Sequence, residues 1–158
     1  MTLVCFDTNF VIWGIKEQCT PGQENDLERA RYLVSEIEET GKTILIPSPV
    51  LAESLCRIPG NHQASFVQLI EEAFFVAPFD SRAAVHFARM WQSRTPTSEF
   101  SRSEMKADFM IAAIAAANSC ECIYSNDKGL ATFASPHIEV RTSSSIVIPP
   151  RQPSFLDE

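Results

Sequence analysis

Long apolar runs, disulfide-type cysteine spacing and an excess of positive charge are all missing from this 158-residue chain. No apolar stretch approaches the roughly 20 residues that cross a bilayer, which argues against a helical membrane span. Cysteines are few and odd in number: Cys5, Cys19, Cys56, Cys120 and Cys122. They fit no disulfide framework. Cys120 and Cys122 are separated by a single residue, which is neither a redox nor a zinc pair, and His62, His86 and His137 lie far from them in sequence. Met1–Phe6 carries no basic leader or cleavage-like segment, so no export signal is read and reducing cytoplasm is the expected location. Lys and Arg total 13 against 20 Asp and Glu, a net charge of −7. Generic nucleic-acid-binding surfaces are normally basic. That objection weakens where acids hold cations, because a cation-filled acidic pocket attracts phosphate.

The remaining composition is that of a globular chain, 45% hydrophobic and 21% charged, and its length suits one domain. Leu3–Phe6 reads as a strand, followed by a brief apolar helix around Phe10–Ile15. Leu27, Ala30, Leu33, Val34 and Ile37 line one face of a helix over Gln23–Thr40, with Gly41 as its C-terminal cap. Thr43–Ile46 is a second strand, and Ser48-Pro49 opens a helix that carries Glu53 early. A helix over His62–Ala73 and a strand over Phe74–Val76 follow. Ser81–Ser93 is a helix expected to bury Ala84, Val85, Ala88 and Trp91. Arg94–Ser103 is a polar loop, and Ser103 is the expected cap of the next helix. Cys122–Tyr124 is a fourth strand, Lys128–Phe133 a short helix and Ile138–Arg141 a fifth strand. Alternating strands and helices predict an α/β fold, a single domain over 1–148 with a central parallel sheet of four to five strands covered on both faces. A Pro-rich tail occupies 149–158.

Asp108 is the one charge in Ala107-Asp108-Phe109-Met110-Ile111-Ala112-Ala113-Ile114-Ala115-Ala116-Ala117. A helix apolar on all sides is buried, and a carboxylate there costs several kcal/mol, roughly, unless a basic group, a proton or a cation compensates it. Lys106 is two residues away and points to another side of the helix. Asp7, Glu53 and Asp127 each sit where a strand ends or just inside a following helix. Asp7 alone would be an N-cap, Glu53 a dipole partner and Asp127 a turn residue. Together they predict four carboxylates converging at a topological switch point. Such a set requires large pKa shifts or a counter-cation, and all-oxygen ligands favour Mg²⁺ or Mn²⁺.

Phe6-Asp7-Thr8-Asn9, Leu51-Ala52-Glu53, Asp108 opening its Ala-rich helix and Ser125-Asn126-Asp127, taken in that order, resemble the PIN-domain ribonuclease family over about Leu3–Arg141. The size also resembles the VapC-type toxins of bacterial toxin–antitoxin pairs. The resemblance implies metal-dependent hydrolysis of RNA phosphodiesters, leaving a 5′-phosphate and a 3′-hydroxyl. Asp7, Asp108 and Asp127 would ligate the metal, and Glu53 would hold a second metal or a water. Thr8, Asn9 and Ser125 would orient carboxylates or touch phosphate. An antitoxin partner and a homodimer are implied in the same way. The Arg94–Ser103 loop and the tail are longer than a minimal member needs. Arg102, Lys106 and Lys128 are the basic residues nearest the quartet in sequence.

Two other readings compete. A haloacid-dehalogenase-type phosphatase also begins with a strand and Asp, but it needs a second Asp where this chain has Asn9. A PIN-like module that binds RNA or protein without cutting is the non-enzymatic alternative.

Overall fold

The structure, a computed structural model, describes residues 1–150. The expected tail over 149–158 lies outside them from Arg151 onward. Five strands form one sheet: β1 (Leu3–Phe6), β2 (Thr43–Pro47), β3 (Phe75–Ala77), β4 (Ile123–Tyr124) and β5 (Val140–Arg141). Their order is β3-β2-β1-β4-β5 and every pairing is parallel. Strands buried on both faces need unbroken apolar sequence. Leu3-Val4-Cys5-Phe6 and Ile44-Leu45-Ile46 supply it, all of them buried.

Seven α-helices connect the strands among the described residues. They are α1 (Thr8–Phe10), α2 (Glu24–Glu39), α3 (Ser48–Leu55), α4 (Gly60–Ala73), α5 (Ser81–Ser93), α6 (Arg102–Ala117) and α7 (Lys128–Ala134). A π-helical turn over Val11–Ile15 continues α1. The strand order reverses at β1, so the connections through α1–α4 run one way along the sheet and those through α5–α7 run the other. Gly41, with φ of 71°, ends α2 in the left-handed conformation that glycine adopts without penalty. No helix among the described residues is long and apolar enough to cross a membrane.

The core gathers Phe6, Phe10, Trp13 and Tyr124, whose ring centroids stand 5.5–5.9 Å apart. Burying each such side chain stabilises the fold by about 1.5–3 kcal/mol. Phe10, Ile12 and Trp13 are thus interior residues and offer no face to a second copy. In α6, Ile111 through Ala115 are all buried, as the apolar run requires.

Three local expectations are corrected. The cap of α6 is Ser101: its hydroxyl accepts from the Glu104 amide at 3.1 Å, and the Glu104 carboxylate accepts from the Ser101 amide at 2.8 Å. This reciprocal Ser-x-x-Glu box satisfies two donors at once, so the helix starts one residue before Ser103 and the polar loop is shorter than expected. In α5 the buried residues are Ala83 and Met90, with Phe87 and Trp91 half-buried, while Ala84, Val85 and Ala88 are exposed. The aromatic rings take the inward face because they have more area to remove from water, which rotates the helix away from the alanine stripe. Finally, β5 is shorter than Ile138–Arg141 and α4 starts two residues earlier than His62.

Candidate active site

The register of the sheet sets the first contact. Phe6 pairs with Tyr124, and the Asp7 amide donates to the Tyr124 carbonyl at 3.1 Å. The chain therefore leaves β1 and β4 side by side at their C-terminal ends, which delivers Asp7 beside Ser125. The Ser125 hydroxyl donates to Asp7 Oδ2 at 2.6 Å and accepts from the Asp127 amide at 3.0 Å. Asp7 Oδ1 accepts from the Thr8 amide at 2.7 Å. On the other flank the Thr8 hydroxyl donates to Glu53 Oε2 at 2.6 Å, which ties α1 to α3. Thr8 and Ser125 thus link Glu53, Asp7 and Asp127 into one hydrogen-bonded chain.

Asp127 caps α7, its Oδ1 accepting from the Leu130 amide at 2.9 Å. Asp108 enters from α6, and Gly129 shows how tightly the parts meet. A Cβ at Gly129 would stand 2.9 Å from Asp108 Oδ2 and 3.1 Å from Asp127 Oδ1. Glycine is needed there so that α7 can approach both carboxylates.

These residues line one cleft of about 280 Å³, bounded by Asp7, Asn9, Glu53, Phe100, Glu104, Ala107, Asp108, Ile111, Asp127 and Gly129. The four acids predicted from sequence all face it, and Asn9 does too. Thr8 and Ser125 act behind it through hydrogen bonds. Sequence reasoning missed Glu104 and Gly129. Glu104 lies one helical turn before Asp108, and the i, i+4 spacing carried that signal once the helix start was placed correctly. Lys128 is exposed and does not line the cleft.

Among the described residues no basic side chain lines this cleft, and the acids carry the consequence. Burial pushes the Asp108 carboxyl up to about 7, helped by the negative charges of Asp127, Asp7, Glu104 and Glu53. Asp7 is also raised, chiefly by burial, although its bonds from Ser125 and Thr8 oppose the shift. The compensation that composition left open is therefore not a buried ion pair. A set of oxygen donors with unneutralised charge, and a cradle at Gly129 that a methyl group would fill, suit a hard divalent cation. Among the described residues no three His, Cys, Asp or Glu side chains are drawn together as ligands of one ion. Mg²⁺ demands little such convergence, since it keeps several waters and takes one or two carboxylates directly.

The PIN domain family model matches residues 4–135. Solved structures share the fold, and three of them are toxin or toxin–antitoxin proteins. VapBC2 of Rickettsia felis, bound to a DNA fragment from its promoter, aligns with a TM-score of 0.60 at 13% identity, over 89% of this chain and 98% of that one. DNA-bound VapBC of Salmonella typhimurium gives 0.58 at 19% identity, over 90% and 99%. VapC20 of Mycobacterium tuberculosis, a toxin that cleaves the sarcin–ricin loop, gives 0.53 at 16% identity, over 85% and 95%. No curated protein matches the chain in sequence.

Proposed function

Because the chain belongs to the PIN-domain family, we propose that it is a divalent-metal-dependent ribonuclease, a VapC-type toxin that hydrolyses RNA phosphodiester bonds. The observation that carries this reading is the cleft that Asp7, Glu53, Asp108 and Asp127 line together, with no basic neighbour among the described residues. The likeness to VapBC complexes supports the toxin assignment, with a small antitoxin as partner, and a homodimer, which the family resemblance implies, would be the assembly. Residues 1–148 would be the nuclease domain, and cytoplasm its place of action.

Asp7, Asp108 and Asp127 would hold the cation, Mg²⁺ or Mn²⁺, with Glu53 on a second ion or a water. The chemistry such a cation supplies when bound is acidification of a water and neutralisation of charge on the phosphoryl oxygens. The chain's own residues do the rest. Ser125 and the Thr8 amide hold Asp7 from two sides, so its carboxylate keeps one orientation. Thr8 keeps Glu53 turned inward, where its free oxygen would orient the attacking water or take its proton. Asn9, on the cleft wall, would donate to a phosphate oxygen.

Purified protein incubated with tRNA, rRNA and mRNA in Mg²⁺, Mn²⁺ or EDTA tests this, beside Asp108→Asn. Cleavage that needs metal and disappears in the variant is expected. Intact RNA in every tube, with metal bound, would turn the reading to a non-catalytic RNA-binding module. A phosphoenzyme on Asp7 would point instead to a phosphatase.

A further inference from the structure

Charge is distributed unevenly along the chain. Residues 81–106 hold five Lys or Arg against two Asp or Glu, net +3 in a chain of −7, and no acid occurs from Ser81 to Ser98. This stretch is α5, the Arg94–Ser101 loop and the opening of α6. At its centre is Trp91, half-buried, with its ring parallel to Phe87 at 6.0 Å and edge-on to Phe109 at 5.8 Å. Three cations surround that indole. The Arg94 guanidinium carbon stands 3.7 Å from the ring centroid, Arg102 5.9 Å and the Lys106 ammonium 5.8 Å. Arg94 is also fixed from a second direction, since its Nη1 donates to the Trp91 carbonyl at 2.6 Å.

None of these three is in an ion pair among the described residues, whereas Arg31, Lys42, Arg82 and Arg141 are. Three like charges sharing one ring repel each other, and Glu99 and Glu104, the two acids of this stretch, pair with none of them among the described residues. The arrangement is that of an anion site left ready. A guanidinium stacked on an indole is pre-oriented, keeps N–H donors free for phosphate and offers a flat face to a base. Cations interleaved with aromatic rings suit the alternating phosphates and bases of a single strand.

The ridge is also connected to the cleft. The loop that begins at Arg94 ends at Phe100, which lines the cleft and packs edge-on against Phe133. On α6, Arg102 and Lys106 form one i, i+4 stripe, and Glu104 and Asp108 form another on the opposite side. The two stripes are separated by about one helix diameter, ~10 Å, a span that a few nucleotides cover across the start of α6.

We propose that Trp91, Arg94, Arg102 and Lys106 form the docking ridge for single-stranded RNA, holding the strand whose neighbouring phosphodiester enters the acidic cleft. This rests on the ribonuclease reading for the polymer's identity but concerns binding, which is measured without cleavage.

The test uses fluorescence anisotropy of a short labelled single-stranded RNA of mixed sequence, with Mg²⁺ present and Asp108→Asn as background in every sample. Adding Arg102→Glu with Lys106→Glu is expected to weaken binding about tenfold or more. It should also flatten the dependence of log affinity on log salt by about 1.4, two phosphates at ~0.7 each. Arg94→Lys keeps the charge but loses the planar stack, and is expected to weaken binding about threefold. Lys16→Glu with Arg29→Glu changes net charge equally away from the ridge, and is expected to stay within about twofold. Thermal melts by circular dichroism establish that each variant is folded. Unchanged affinity in the ridge variant, or equal weakening in the control pair, would overturn the proposal. So would ridge-dependent binding of poly-glutamate as tight as that of RNA, which would make the ridge a seat for an acidic protein. If wild-type protein cleaves nothing while ridge-dependent RNA binding persists, the nuclease reading falls and the ridge stands.

Discussion

The two walls of the cleft are built on opposite terms. On the sheet side Asp7 is buried, but both its oxygens accept hydrogen bonds, and Thr8 and Ser125 extend the chain of bonds to Glu53 and Asp127. On the helix side Asp108 faces Asp127, Asp7 and Glu53 across the same space, has Glu104 one turn away on its own helix, and is pushed up to about 7. One wall is pre-organised by hydrogen bonds, and the other holds charge that only a proton or a cation relieves. Order and unneutralised charge are therefore supplied by different residues, and substitutions should separate them.

The largest expected contrast is in stability. Asp108→Asn and Asp7→Ala should both reduce RNA cleavage to background, yet shift thermal unfolding in opposite directions. Removing the Asp108 charge relieves repulsion and raises the melting temperature of metal-free protein. Truncating Asp7 leaves the Ser125 hydroxyl and the Thr8 amide without their acceptor, at a cost of about 1–3 kcal/mol. A lower melting temperature for Asp108→Asn would break the comparison.

Gly129→Ala comes next. Its new methyl would meet the ends of two flexible carboxylates rather than backbone, so the fold should persist while Asp108 and Asp127 are pushed aside. Displacement on that scale costs about a hundredfold in rate, measured as initial cleavage rates at saturating Mn²⁺. Wild-type rates in this variant would show that the two carboxylates need not meet.

Ser125→Ala tests the sheet wall more gently. Loss of an orienting partner typically lowers metal affinity about 10–100-fold, read here by Mn²⁺ titration in a calorimeter. Undiminished affinity would mean that Asp7 is positioned without the serine.

The smallest effect is the pH dependence of metal-free protein. The folded chain keeps protons on Asp108 and Asp7 to higher pH than the unfolded chain does. Between the ordinary carboxylate range near 4 and about 7 the native state therefore binds more protons, and stability falls as pH rises. Melting curves at steps across that window should show this decline in EDTA, and less of it in Mn²⁺ or in Asp108→Asn. A flat profile in EDTA would remove the electrostatic stress assigned to the helix wall.

Much of this site was legible in sequence because its cause is local. An Asp inside an Ala-rich apolar run is expensive wherever it folds, and Asp7 and Ser125-Asn126-Asp127 end apolar strands whatever their order. The misses have equally physical origins. Ser103 is the cap that the apolar run suggests for α6, but Ser101-x-x-Glu104 completes a reciprocal box, and that displacement hides Glu104. Trp91 turns inward as expected, but the rest of the inward face of α5 went to Ala83, Phe87 and Met90 in place of Ala84, Val85 and Ala88, because periodicity does not say which of two apolar stripes wins the core. Gly129 follows a turn residue and draws no notice in sequence, since a missing Cβ signals nothing until its neighbours are known.

The sequence by itself determined the alternation of strands and helices, the burial of α6 and the four acids that share the cleft, because each follows from the hydrophobicity of nearby residues. Only the tertiary structure decided that Ser125 bonds Asp7 across 118 positions, that Thr8 reaches Glu53, and that Trp91 gathers three cations. Those are contacts between elements, fixed by strand register and by how the helices pack.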